Sequence, residues 1–94
     1  MMEKKNNIDE IARIISKIDN PQLIKGFLNG ILTPAELEKI STRWEIVKML
    51  QQGVSQRKIA HELHLSLCNI TRGSRELKRR NSPLKKVIDT VKQK

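Results

Sequence analysis

Residues 55–77, SQRKIAHELHLSLCNITRGSREL, hold two short amphipathic segments whose apolar phase slips between Leu63 and Leu65. One regular helix running through this stretch would keep its phase, so the slip divides it into two helices joined by a tight break. Two helices packed at a steep angle need particular residues at their contacts. Ala60 is small where they cross, and Ile59, Leu63, Leu65 and Ile70 supply a core face. Arg57, Lys58, Glu62, Asn69 and Arg72 fall on the wet side. The break sits at His64, where a left-handed residue costs on the order of 1 kcal/mol unless it is glycine. Ser55 then caps the first helix and Ser66 the second. This is the pattern of a helix-turn-helix, the unit that lays its second helix in the major groove of DNA.

The charge distribution points the same way. The chain carries 19 Lys and Arg against 10 Asp and Glu. Residues 1–54 hold 8 basic and 7 acidic groups, a balance of +1, while residues 55–94 hold 11 and 3, a balance of +8. A polyanion-binding face requires such asymmetry, because phosphate contacts release counterions and supply most non-specific affinity. A solvated basic tail gives a similar total, and Lys85, Lys86, Lys92 and Lys94 fit that reading too.

The remaining chain reads as helices separated by clear punctuation. Asn7 and Glu10 form a capping-box pattern for a helix over about 8–18, with Ile8, Ile11, Ile15 and Ile18 on one stripe. Asn20 and Pro21 open a second helix bearing Leu23, Ile24, Phe27 and Leu28, which Gly30 is expected to end. Thr33, Pro34 and Glu36 open a long helix over about 34–52 that stops at Gly53, with Leu37, Ile40, Trp44, Val47 and Leu50 on one face. Ser82 and Pro83 open a last helix over about 84–92, with Leu84, Val87, Ile88 and Val91. Six helices and no strand make the fold all-α.

A chain of 94 residues has room for one small domain, which buries only about 60–65 per cent of its unfolded surface. Six short helices cannot stand without tertiary burial, and the stripes on the first two and the last exceed what one helix-turn-helix needs. A second copy is the economical way to cover them. Residues 1–54 and 83–94 are therefore expected to form a dimerisation core, and 55–78 the DNA-reading head, of a single domain over 1–94.

Other functions find little support. One cysteine excludes a disulfide framework, and His61 and His64 lie three apart without a third ligand, so no metal site is expected. No run reaches the length of a membrane span and MMEKKNNIDE is not a signal peptide, which points to a cytoplasmic protein. Paired carboxylates, a nucleophile with its base, and a phosphate loop are all missing, so no enzyme is expected.

Residues 32–78, LTPAELEKISTRWEIVKMLQQGVSQRKIAHELHLSLCNITRGSRELK, resemble the Trp repressor family, with LTP, TR, G, SQR and ITRGS in the expected order. The resemblance implies an intertwined all-helical homodimer that binds L-tryptophan as co-repressor and then binds double-stranded operator DNA, controlling tryptophan-related genes. No other cofactor is implied. It places the ligand between Arg43 and Arg72, whose planar guanidinium groups can stack on an indole, with Arg72 also reaching the carboxylate. Thr33 assists the carboxylate, Gly73 lets the ligand approach the backbone, and carbonyls near Gly30 and Leu32 of the other subunit receive the ammonium group.

The sequence departs from the family at this site. Glu76 stands where the family has a small hydroxyl residue near the ammonium group, and Asn69 replaces a Thr lining the pocket. Gly30 replaces a larger apolar residue, and one residue fewer lies between Gly53 and Ser55. On the DNA side, Leu67, Cys68 and Thr71 are expected at base edges and thymine methyls, and Arg57 at a guanine. Thr42, Gln56, Ser74, Arg75 and Lys78 are expected at phosphates, which position without specifying. Two further readings stay open at this point. One is a Trp-repressor-like regulator without ligand control; the other is a helical adaptor whose basic face meets RNA or an acidic protein.

Overall fold

The computed structural model describes residues 7–91, so MMEKKN and the last three residues, with Lys92 and Lys94, lie outside it. Among the described residues the chain is helical throughout, with no strand: α1 Ile8–Ser16, α2 Pro21–Ile31, α3 Pro34–Gln51, α4 Gln56–Leu63, α5 Leu67–Lys78 and α6 Pro83–Val91. They group into two compact units, one up to Leu37 and one from Glu38 onward, with the boundary inside α3.

Most helix starts use the expected side chains. The Asn20 carboxamide oxygen accepts from the N–H groups of Gln22 and Leu23, and Pro21 follows at the first helical position. Thr33 and Glu36 form a reciprocal box: the Thr33 N–H donates to Glu36 Oε1 at 2.9 Å and the Glu36 N–H to Thr33 Oγ1 at 3.1 Å. The Ser55 and Ser82 hydroxyls accept from the N–H groups of Lys58 and Lys85, each at 3.1 Å. Two starts differ from expectation. Asn7 and Ser66 stand at the N-cap positions of α1 and α5, but neither side chain makes a capping bond.

Helix ends explain the slip in apolar phase. At the end of α3 the Gly53 N–H bonds to the Leu50 carbonyl and the Val54 N–H to that of Met49, each at 3.0 Å. At the end of α4, His64 and Leu65 make the same pair of bonds, to His61 at 3.4 Å and to Ala60 at 3.0 Å. This double closure needs a left-handed residue followed by an apolar one that folds back on its helix. Gly53 has φ +89 and His64 has φ 56, and Val54 and Leu65 both pack against the core. Asn81, with φ 55, makes a third left-handed position just before α6.

Two expected boundaries move. Gly30 does not end α2, which runs on to Ile31 and closes with the Leu32 N–H on the Leu28 carbonyl at 3.0 Å. The first helix ends at Ser16 and not near 18, the Lys17 and Ile18 N–H groups reaching back only three residues, each at 3.1 Å. The expected end of the last helix at 92 lies outside the described residues.

The core of the unit from Glu38 onward is built around Ile46, Ile59 and Ile70, which are 3%, 0% and 0% exposed. Met49, Leu50, Val54, Ala60, Leu63 and Leu65 pack against them. Leu50 was expected on the stripe of Leu37, Ile40, Trp44 and Val47, but it packs with Met49 against the cluster of Ile46. At 100° per residue it lies about 40° from Ile46 and about 60° from Val47, at the border of the two sets. On the Val47 side, the Gln51 carboxamide donates to Asp89 of α6 at 2.7 Å, and Ile88 of α6 is buried. In the other unit, no residue of α1 or α2 is buried in the single chain. Ile11, Ile15, Ile18, Ile24, Phe27 and Leu28 are only half-buried.

Candidate functional site

Burial of Ile59 and Ile70 fixes which sides of α4 and α5 are left facing outward. Ile70 turns inward and is fully buried, while the residues before it on the first turn of α5 are left uncovered. Leu67 is 46% exposed, with Cys68 and Asn69 beside it also exposed. Arg57 and Lys58 are exposed at the start of α4, and Arg72, Arg75 and Lys78 along α5.

Four expected phosphate or base contacts are placed differently from these. The Thr71 hydroxyl donates to Gln56 Oε1 at 3.0 Å, so these two half-buried residues tie the start of α4 to the middle of α5. Ser74 is only 7% exposed. It lies four residues after Ile70, on the same inward side, and is not presented to a phosphate. Thr42 is half-buried on α3.

Gly73 shows how α5 meets α3. A Cβ built there would lie 3.5 Å from Ile46 Cγ2 and 3.6 Å from Leu50 Cδ1, so its bare side faces α3. Arg43, Ile46 and Leu50 recur at three and four residues along that side of α3. Arg43 therefore sits one turn before the contact, and Arg72 immediately precedes Gly73 on α5. Both guanidinium-bearing positions border one seam, and both side chains are exposed.

The outer side of α5 carries a shallow depression lined by Arg72, Arg75, Glu76, Lys78 and Arg79. Glu76 is its lone carboxylate and is paired with Arg79 at 3.2 Å. The sequence reading passed over Arg79, although its spacing of three from Glu76 and seven from Arg72 places it on their face.

Thr33, Gly30 and Leu32 belong to the other unit. The Thr33 hydroxyl is engaged in its capping box, Leu32 is half-buried, and Gly30 lies exposed in the last turn of α2, where carbonyls lack partners further along a helix.

A family model described as the Trp repressor protein matches residues 6–92. The chain belongs to the Trp repressor family. A Trp operon repressor homolog of Chlamydia caviae is 31% identical over 90 residues, covering 95% of this chain and 89% of the relative. One of Vibrio campbellii is 35% identical over 82 residues, covering 86% and 81%. One of Vibrio cholerae is 42% identical over 62 residues, covering 65% and 60%. This is a family of transcriptional repressors and not of enzymes, which fits a site made of exposed cations around a packed helix pair. Among the described residues, no helix is long and apolar enough to cross a membrane.

Proposed function

We propose that this chain is a tryptophan-responsive repressor that binds double-stranded operator DNA as a homodimer in the cytoplasm. The observation that carries the reading is the seam between α3 and α5. Ile46 and Leu50 meet Gly73 there, Arg43 precedes that contact by one turn of α3, and Arg72 adjoins Gly73 on α5, whose first turn leaves Leu67 and Cys68 uncovered.

L-tryptophan seats its indole between the two guanidinium planes and its carboxylate on Arg72. Gly73 lines the site, Asn69 borders it, and carbonyls near Gly30 and Leu32 of the partner subunit face the amino group. The unburied stripes of α1 and α2 are the surface a second copy covers. Dimers built on this motif, the Trp repressor among them, address half-sites about 34 Å apart. Leu67, Cys68 and Thr71 read base edges, Arg57 reaches a guanine, and Arg75, Lys78, Gln56 and Thr42 hold phosphates. Ser74, turned inward, drops out of that set.

The ligand acts only through preferential affinity for the DNA-competent arrangement. Binding-site selection on random duplexes, followed by titration of the selected duplex with and without L-tryptophan, tests the reading. The expected rise in affinity is about 5–150-fold, the usual range of such coupling. Equal affinity in both titrations overturns co-repression.

A further inference from the structure

The depression on α5 gathers four cations and one carboxylate, and that carboxylate is already taken. Glu76 holds Arg79 at 3.2 Å, with the two side chains 37% and 59% exposed. Arg72 stands four residues before Glu76, so their side chains leave the helix as neighbours, with Cβ atoms about 5–6 Å apart. A cation and an anion at that spacing match the two ends of a free amino acid. With its carboxylate on Arg72, the ligand's ammonium group falls within reach of Glu76.

From this we infer that Glu76 is the residue that selects for the ligand's ammonium group, and that the ligand takes Glu76 from Arg79 and so releases a cation to the DNA. The inference rests on the reading that an amino acid is bound at Arg72. It adds a selectivity and a route of coupling to that reading. In the absence of ligand, the Glu76–Arg79 pair keeps one guanidinium neutralised at the end of the basic helix. With ligand bound, the ammonium group replaces it, and Arg79 becomes available to a phosphate without movement of the helix. Both pairs are exposed, so neither is worth much alone. Exchange between them is therefore close to balanced and responds to ligand concentration.

Two ligands separate the outcomes. L-tryptophan carries both charges, whereas 3-(indol-3-yl)propanoate keeps the indole and carboxylate but lacks the amino group. The dimeric wild type, Glu76→Gln and Arg79→Gln are compared by calorimetry, with circular dichroism verifying that each variant is folded. Glu76→Gln should weaken L-tryptophan by up to about fivefold, the most that one exposed ion pair supplies, and leave the propanoate unchanged. Arg79→Gln should tighten L-tryptophan, because its competitor for Glu76 is gone. In DNA titrations, L-tryptophan should steepen the salt dependence by about one phosphate contact in the wild type and not in Arg79→Gln. Equal losses for both ligands in Glu76→Gln, or weaker tryptophan binding in Arg79→Gln, overturn the inference while leaving the ligand reading intact. If neither ligand binds the wild type, both fall together.

Discussion

Replacing His64 with glycine should stabilise the protein, a sign opposite to that of most substitutions. His64 stands at φ 56 and ψ 47, and the left-handed region costs a residue with a Cβ roughly 1–2 kcal/mol. Glycine escapes that cost but has more backbone freedom to lose on folding, an offset of about 0.5–1 kcal/mol. The net gain lies between about 0 and 1.5 kcal/mol, and its midpoint of about 0.75 kcal/mol is equivalent to a rise in Tm of roughly 3–6 °C for a domain of this size. Little packing is lost, because the imidazole is exposed. Gly53 serves as an internal reference: the same pair of backbone bonds closes α3 there, with glycine already in place at φ +89. Gly53→Ala should accordingly lose about 1 kcal/mol. Thermal and urea unfolding followed by far-ultraviolet circular dichroism reads both, at one protein concentration, because self-association makes a Tm depend on it. A Tm for His64→Gly at or below that of the wild type would refute the assignment of strain to this turn.

Three other expectations concern the same helices. Ile70→Ala removes a fully buried side chain, and three lost carbons plus the cavity left behind amount to about 3–4 kcal/mol in urea unfolding. Leu67→Ala, on the exposed side, should cost less than about 1 kcal/mol in that assay yet weaken duplex binding. Gly73→Ala meets Ile46 and Leu50 only at ordinary contact distance, so stability should hold or rise by up to about 1 kcal/mol from helix propensity; a drop in Tm would refute the room for a methyl group between α5 and α3. Arg57→Ala should relax sequence preference among duplexes, whereas Lys78→Ala should weaken all of them alike and lower the salt slope by about one. Uniform losses from both would remove Arg57 from base recognition.

Local chemistry made much of the fold legible. Thr33 with Glu36, Asn20 with Pro21, Ser55 and Ser82 announce helix starts, because an orphan N–H group needs a nearby oxygen that only a few side chains offer. His64 was readable as the turn because the apolar phase slips around it. Asn7 and Ser66 carry the same type of signal without the bond, since a helix can also begin with its first N–H groups unassisted by a side chain. The inward turn of Ser74 was harder to see: a small hydroxyl fits a buried helix face as readily as a phosphate, and only Ile70, one turn earlier, tells which. Leu50 stands at the border of two apolar sets on α3, and periodicity cannot choose between stripes when both are occupied. The pairing of Glu76 with Arg79 was visible in spacing, yet the basic run 78–80 looked like a uniform patch.

The two-sided character of α3 also bears on how this chain tolerates change in length. Val47 and the bonded Gln51 lie on one side and Ile46, Met49 and Leu50 on the other. Adding or deleting one residue within this stretch turns everything beyond it by about 100° and slides it about 1.5 Å. Both sets of partners would then be lost together, and no side-chain replacement elsewhere would restore them. Homologous chains can differ in length at the turns 17–20, 52–55 or 79–82, where the backbone is free to reclose, while α3 should keep its 18 residues. The gauge of the helix is thus inherited more strictly than its composition.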